Sequence, residues 1–369
     1  MIAPTLYSRA FRPLYFTASR TDTLGNVIFN QFKQEVPRQY IQTLIATGAV
    51  YHRSPLHTFK SLHNVPLPRR LFSPDDMVQQ DAMLKIFFFP RQYPTDHVDI
   101  DRCVLFENDQ FLVIDKPHGI SIGPVIDNYH NNINALLQQH RSSITSIFNP
   151  HRLDFQTRGL CVLIKDSSYI NQFNSMLRKR SITKRYRAFY QGPNMITPGL
   201  YTHYMKPSKS TIKEMSDTKV EGWHECILRV LESSQCTVSM PISDVEQDFL
   251  SIDMLNGNWK QQEMLVGKGI NRTRHAMVQL NYVDVELITG RTHQIRAQMR
   301  ALGRSLVGDR MYGGMAIQQL SNAQFNPNDQ PYPHRSLHTS FIGLVSYQLS
   351  FECPLTGHQH HFSLLDSKQ

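Results

Sequence analysis

The chain has 369 residues, 40% of them hydrophobic and 19% charged, and a formal charge of +9. That length allows two or three domains with a sizeable core, and no apolar run approaches the ~20 residues of a membrane span. Five scattered cysteines without a C-x-x-C pair argue against a disulfide frame or a cysteine zinc site, and the positive balance favours a polyanionic partner such as nucleic acid.

Residues 1–20 hold Arg9, Arg12 and Arg20 and no acid, a composition shared with organellar transit peptides. Without a clear amphipathic helix or cleavage site they read as an ordinary basic segment. The expected compartment is the cytoplasm, with organellar targeting as the alternative. A first region, residues 1–102, follows as a small α/β module. In it, Val36 to Gly48 has the pattern of a helix, with Pro37 in the first turn and Tyr40, Ile41, Leu44 and Ile45 on one face. Met83 to Phe89 reads as a strand. This order resembles a degenerate S4-type RNA-binding module, against the plainer reading of a packing domain.

The second region, 103–369, carries the chemistry. Phe111 to Gly119 reads as a strand entering a turn, Asn132 to Gln139 as a short helix, and 168–182 as a helix ending in Arg178-Lys179-Arg180. Between them lies His151-Arg152-Leu153-Asp154-Phe155-Gln156-Thr157-Arg158-Gly159-Leu160, where Asp154 sits beside an arginine just before the apolar run Leu160 to Ile164. A carboxylate held where a loop meets a buried strand can serve as a nucleophile or base, or simply fix the turn. Thr183 to Tyr190 alternates as a strand with Lys184, Tyr186 and Ala188 on one face. His275 to Ile288 is another strand. Beyond Gly290 a helix is expected with Thr292 as cap and Gly303 as stop. Ile295, Met299 and Leu302 form its apolar stripe, and His293, Arg296 and Arg300 a basic, solvated one.

Four motifs stand in order: Asp115-Lys116-Pro117-x-Gly119, His151-Arg152-Leu153-Asp154-x-x-Thr157-x-Gly159-Leu160, Lys184-x-Tyr186, and Gly290-Arg291-Thr292-His293-Gln294-Ile295-Arg296. Together with Gly308-Asp309-x-x-Tyr312-Gly313 and Arg335-Ser336-Leu337-His338 they resemble the RluA-type RNA pseudouridine synthases over roughly residues 104–365. The resemblance implies an α+β fold, with a mostly antiparallel mixed central sheet and flanking helices. It implies isomerisation of uridine in ribosomal or transfer RNA without cofactor or metal, by a monomer. Asp154 is then the catalytic residue. Tyr186 packs on the uracil and helps remove the carbon-5 proton, and Arg296 pairs with and orients the aspartate. Arg152 enters the helix where the base leaves, and Ile295 forms the apolar wall. His151, Thr157, Lys184 and His293 complete the substrate-binding set.

Independent chemistry supports those residue types: an extruded base needs an aromatic or apolar sandwich, and a buried carboxylate needs a partner, best a bidentate arginine. Arg158 departs from the pattern, which usually has a small serine; it alters the turn or adds a phosphate contact. Residues 205–222 and 315–333 read as surface insertions, with altered substrate choice as the alternative. His358, His360 and His361 lack an acid or cysteine at ligand spacing and are not expected to hold a metal. An inactive RNA-binding protein of the same fold is the alternative function, and an enzyme on free nucleosides a third.

Overall fold

The structure, a computed structural model, describes residues 13–33, 35–58, 65–91, 95, 98–192, 194–241, 275–314 and 342–365. Arg9, Arg12, the loop expected at 315–333 and the Arg335–His338 motif lie outside these residues. The chain forms two compact units, one of residues 1–97 with 123–142 and the other of 98–122 with 143–369. A single cut at residue 102 therefore differs from the observed division. The chain crosses back, and the short helix read at 132–139 packs with the first unit.

In that first unit the sheet runs β1 (Leu14–Thr17), β6 (Met83–Ile86), β3 (Val50–Arg53), β4 (Arg69–Arg70), all antiparallel. A second pair joins β2 (Asp22–Thr23) and β5 (Met77–Val78). Helix α1 (Leu24–Gln31) and helix α2 (Arg38–Ala46) bury Leu24, Ile28, Ile41, Leu44 and Ile45 against Val50, Leu84 and Ile86. The 3.6-residue spacing of those apolar positions is what makes the second segment helical. Pro37 is the residue before α2 rather than in its first turn.

The second unit is built on a ten-stranded sheet. Its order is β12 (Met215–Ser216), β11 (Gly199–Met205), β13 (His224–Pro241), β14 (His275–Leu287), β10 (Thr183–Tyr190), β15 (Leu344–Glu352), β9 (Arg158–Ile164), β8 (Phe111–Lys116) and β7 (Val104–Glu107), with β16 (Gln359–Ser363) paired to β15. Among the described residues only β15 and β9 run parallel, so the sheet is mostly antiparallel and mixed, as expected. All seven residues of β9 are buried, which is why its stretch from Leu160 to Ile164 is an unbroken apolar run rather than an alternating one. Helix α3 (Ile100–Cys103) precedes β7, and α4 (Ile133–His140), with its Asn132 cap, belongs with α1 and α2 to the first unit. Helix α5 (Ser167–Lys179) lays Tyr169, Phe173 and Met176 on Phe111, Val113, Leu160 and Val162. Each such buried aromatic or aliphatic contributes ~1.5–3 kcal/mol relative to exposure.

Helix α6 (Gln294–Ala301) starts differently from expectation. Thr292 does not cap it; the residue at that point is His293, left-handed at φ 59°. No side chain caps the helix; the Gln294 Oε1 instead accepts from the Arg291 amide at 3.0 Å and the Thr289 hydroxyl at 2.9 Å, fixing the turn that leads into it. Ile295 and Met299 are buried as expected, but so are Gln294, Arg296 and Gln298. The helix is thus enclosed on most sides, and Arg296 belongs to no solvated face.

Candidate active site

The loop 150–157 carries Asp154 and is braced from both sides. Its turn closes with the Thr157 amide donating to the Asp154 carbonyl at 3.0 Å. The Phe155 carbonyl, one peptide beyond the acid, receives the Gly119 amide at 3.0 Å and the Lys116 ammonium at 3.2 Å. Lys116 is fully buried and also donates to the carbonyls of Pro117 (2.7 Å) and Ile120 (2.9 Å). Burial pulls its pKa down to about 7, yet three carbonyl acceptors match the three N–H donors of the charged form. His151 Nε2 accepts the Val162 amide at 3.0 Å, so that nitrogen ties the loop to β9 and is not available to a substrate. Burial, aided by the Lys184 charge, pushes the His151 pKa down to about 3, leaving the ring neutral.

Facing this loop are β10 and α6. Tyr186 is buried, and burial raises its phenol pKa, keeping the hydroxyl protonated. Lys184, two residues earlier on β10, has its pKa lowered by burial; its Nζ lies 3.4 Å from where a Cβ on Gly290 would stand. Arg296 Nη1 donates to Asp154 Oδ2 at 3.1 Å. The bidentate partner of Arg296 is, however, Asp309: Nε to Oδ2 at 2.7 Å and Nη2 to Oδ1 at 2.8 Å, both side chains buried. The two-pronged pair expected at Asp154 therefore belongs to Asp309, and Asp154 takes the one remaining nitrogen. His293 Nε2 lies 3.7 Å from Asp154 Oδ2, while its Nδ1 meets the Tyr312 hydroxyl at 3.2 Å. Burial lowers the His293 pKa more than Asp154 raises it. That hydroxyl also accepts the Lys213 amide at 2.9 Å. Residues 205–222 are thus not a detached surface insertion: they contribute a hairpin edge at β12 and touch the site through Tyr312.

These groups surround one cavity of about 530 Å³, and all nine expected residues line it: His151, Arg152, Asp154, Thr157, Lys184, Tyr186, His293, Ile295 and Arg296. Arg178, Arg180 and Arg291 line it too, giving a strongly cationic wall around one carboxylate. Arg152 is exposed and donates to the Thr292 hydroxyl at 3.0 Å. Sequence reading did not assign roles to Asp309, Tyr312 or Lys116. The first two stood in the Gly308-Asp309-x-x-Tyr312-Gly313 motif and Lys116 in Asp115-Lys116-Pro117, but nothing in residue spacing says that Asp309 meets Arg296.

Arg158 does not point to a phosphate. Its Nε and Nη2 donate to Asp115 Oδ1 (3.2 Å) and Oδ2 (2.7 Å), and its side chain is 8% exposed. The departure at 158 is therefore matched inside the first motif, tying β9 to β8. Among the terminal histidines, His360 packs on Phe106, Phe111, Phe351 and Phe362, while His361 bonds the Ser350 hydroxyl.

A sequence model described as RNA pseudouridylate synthase matches residues 110–301. The RNA pseudouridine synthase 6, chloroplastic, of Oryza sativa is 27% identical over 79% of this chain and 63% of its own length. Ribosomal large subunit pseudouridine synthase D of Buchnera aphidicola is 28% identical over 72% of each chain. The tRNA pseudouridine(31) synthase of Saccharomyces cerevisiae is 29% identical over 57% of this chain and 46% of its own. The chain spans less than two thirds of the rice and yeast relatives.

Proposed function

The chain belongs to the RNA pseudouridylate synthase family, and on that premise we propose that it isomerises uridine to pseudouridine in structured RNA, ribosomal or transfer RNA. One observation carries the reading: Asp154, one-fifth exposed, stands in a cation-lined cavity, charge-paired by Arg296, with Tyr186 and Ile295 beside it. A uridine must leave its stack to reach such a carboxylate, at a cost of a few kcal/mol, and the cavity offers an aromatic and an aliphatic wall to repay it. In the reaction the C1′–N1 bond breaks, the uracil turns, the C1′–C5 bond forms, and C5 loses the proton that N1 gains. Asp154 initiates the glycosidic cleavage as nucleophile or base. Because burial keeps the Tyr186 phenol protonated, its resting state supports the role of platform for the ring more directly than that of base at C5. In this reading Arg152, exposed at the loop, fills the vacated stack.

The inactive binder is disfavoured by the intact Asp154–Arg296 pair, and a free-nucleoside enzyme by the wall of cations, which suits a polymer of phosphates. Purified protein is given ribosomal or transfer RNA carrying 5-tritiated uridine. Tritium release from wild type that vanishes in Asp154→Asn, with melting temperature retained, supports the synthase. RNA binding without release indicates the binder, and release from free uridine the nucleoside enzyme. The compartment we propose is a reducing one, the cytoplasm, on the scattered cysteines. The names of plant relatives favour an organelle as the second reading, and microscopy of the C-terminally tagged chain separates them. A monomer is expected, which light scattering checks.

A further inference from the structure

The 123–142 excursion brings exposed rings to the first unit that the cavity does not use. Phe72 is 44% exposed and Tyr129 40%. Their rings meet edge to face at 5.0 Å, and the exposed His130 continues the row at 5.3 Å from Tyr129. They are seated on Gly48, at φ +76°, where a Cβ would stand 2.8 Å from Tyr129 Cβ and 2.9 Å from Phe72 Cε1. Only glycine gives both the backbone angle and the space. The Tyr129 amide donates to the Thr47 carbonyl at 2.9 Å, which fixes the ring's base.

Cations flank these rings. Arg70 lies over Tyr51 (5.1 Å) and Tyr129 (5.2 Å), held by the Tyr51 hydroxyl and the Val125 carbonyl. Lys85 lies over Tyr51 (5.1 Å) and Phe87 (4.9 Å), and Arg69 is exposed on β4. Among the described residues no carboxylate forms an ion pair with Arg69, Arg70 or Lys85. Like charges held together without a counter-ion, beside large exposed apolar rings, suit a polyanion that carries flat bases.

We propose that this face of the first unit binds a single-stranded segment of RNA, with Arg69 and Lys85 at phosphates and Phe72 and Tyr129 under bases. The inference rests on the reading that the chain acts on RNA, but binding is measured apart from turnover. The test uses the full chain and a labelled oligouridylate of about 12 nucleotides, within the usual single-strand site sizes. Phe72→Ala with Tyr129→Ala is expected to weaken binding about tenfold or more through lost stacking. Arg69→Gln with Lys85→Gln is expected to lower the slope of log affinity against log salt by about 1 to 2. Phe72→Leu with Tyr129→Leu preserves the packing on Gly48 and should weaken binding as the alanine pair does, so misfolding is separated from lost stacking. With RNA substrate the variants raise KM and retain kcat, whereas Asp154→Asn binds the oligonucleotide as wild type and releases no tritium. Unchanged affinity and salt slope in folded variants overturn the proposal, whatever other molecule covers the face. If wild type never releases tritium but the variants still lose the oligonucleotide, the face stands and the catalytic reading falls.

Discussion

Arg296 gives its two-pronged edge to Asp309 and a single nitrogen to Asp154. The guanidinium is thereby fixed by a residue outside the cavity lining, and the acid in the cavity meets a charge whose direction it does not have to set. Two carboxylates share one cation, and Asp154, the more exposed of them, keeps the looser contact. That leaves one of its oxygens accessible to a substrate while its charge is still paired.

Removal of Asp309 separates orientation from charge. Asp309→Ala leaves a buried guanidinium without its main partner and is expected to destabilise the fold by about 3–5 kcal/mol. Asp309→Asn keeps one acceptor and should fold better, while kcat falls by about tenfold to a hundredfold with KM little changed, a loss of ~1.4–2.7 kcal/mol in the transition state. Single-turnover assays and thermal melts on the pair distinguish these effects. Equal kcat losses in both variants at matched stability would count against orientation.

Arg158 offers a second test, because a phosphate contact and a structural pair make opposite forecasts. Arg158→Ser is expected to cost about 2–4 kcal/mol, somewhat under the range for a fully buried pair since Asp115 is 16% exposed. Adding Asp115→Asn should recover part of this, with a coupling of about 1–3 kcal/mol in a double-mutant cycle. The salt dependence of RNA binding stays as in wild type. A shallower salt slope in Arg158→Ser would show that the residue does reach RNA.

Gly159 stands next to that pair, at φ +115°, with a Cβ position that overlaps the backbone of Ser346. Here β9 meets β15 in parallel, directly after the Asp154 loop. Gly159→Ala combines a strained backbone with a clash against main chain, and is expected to cost at least about 3–4 kcal/mol. Loss of soluble protein, or a melting temperature many degrees lower, is the expected result. A stable, active Gly159→Ala protein would mean that the strands separate easily there.

What the sequence made legible was periodic or local. The helix at 38–46 followed from its spacing of Ile41, Leu44 and Ile45, and β9 from its unbroken apolar run. All nine expected site residues meet in one cavity, lined by the loop before β9, by β10 and by the turn from β14 into α6. What stayed hidden depends on groups without a signature in residue identity. Lys116 is held by three backbone carbonyls, and any residue type presents those. Thr292 does not cap its helix because the chain enters it through His293 in the left-handed region, a backbone conformation that cap preference does not signal. Asp309 was visible as a motif member, but its grip on Arg296 is a tertiary contact. The return of 123–142 to the first unit is likewise a matter of packing, even though its helix was readable.

His151 gives a prediction whose sign can be worked out. Its pKa falls from 6.5 in the unfolded chain to about 3 in the fold, because burial disfavours the charged ring and Lys184 repels it. Between those values the unfolded chain binds one proton more than the native protein, so stability rises with pH across the window. Full stability is present above about pH 6.5, and it declines as acid is added, by at most ~1.4 kcal/mol per pH unit from this group and less where solvent reaches the ring. The native ring cannot accept the proton cheaply, since Nε2 is occupied by the Val162 amide and protonation would set two donors face to face. His151→Gln supplies an oxygen acceptor that does not titrate. It is expected to be less stable than wild type at pH 7.5 but to lose less stability on going to pH 5, measured as the difference between the two melting curves at each pH. Parallel acid slopes in the two proteins would show that His151 is protonated in the fold, and that its Nε2 does not accept the Val162 amide.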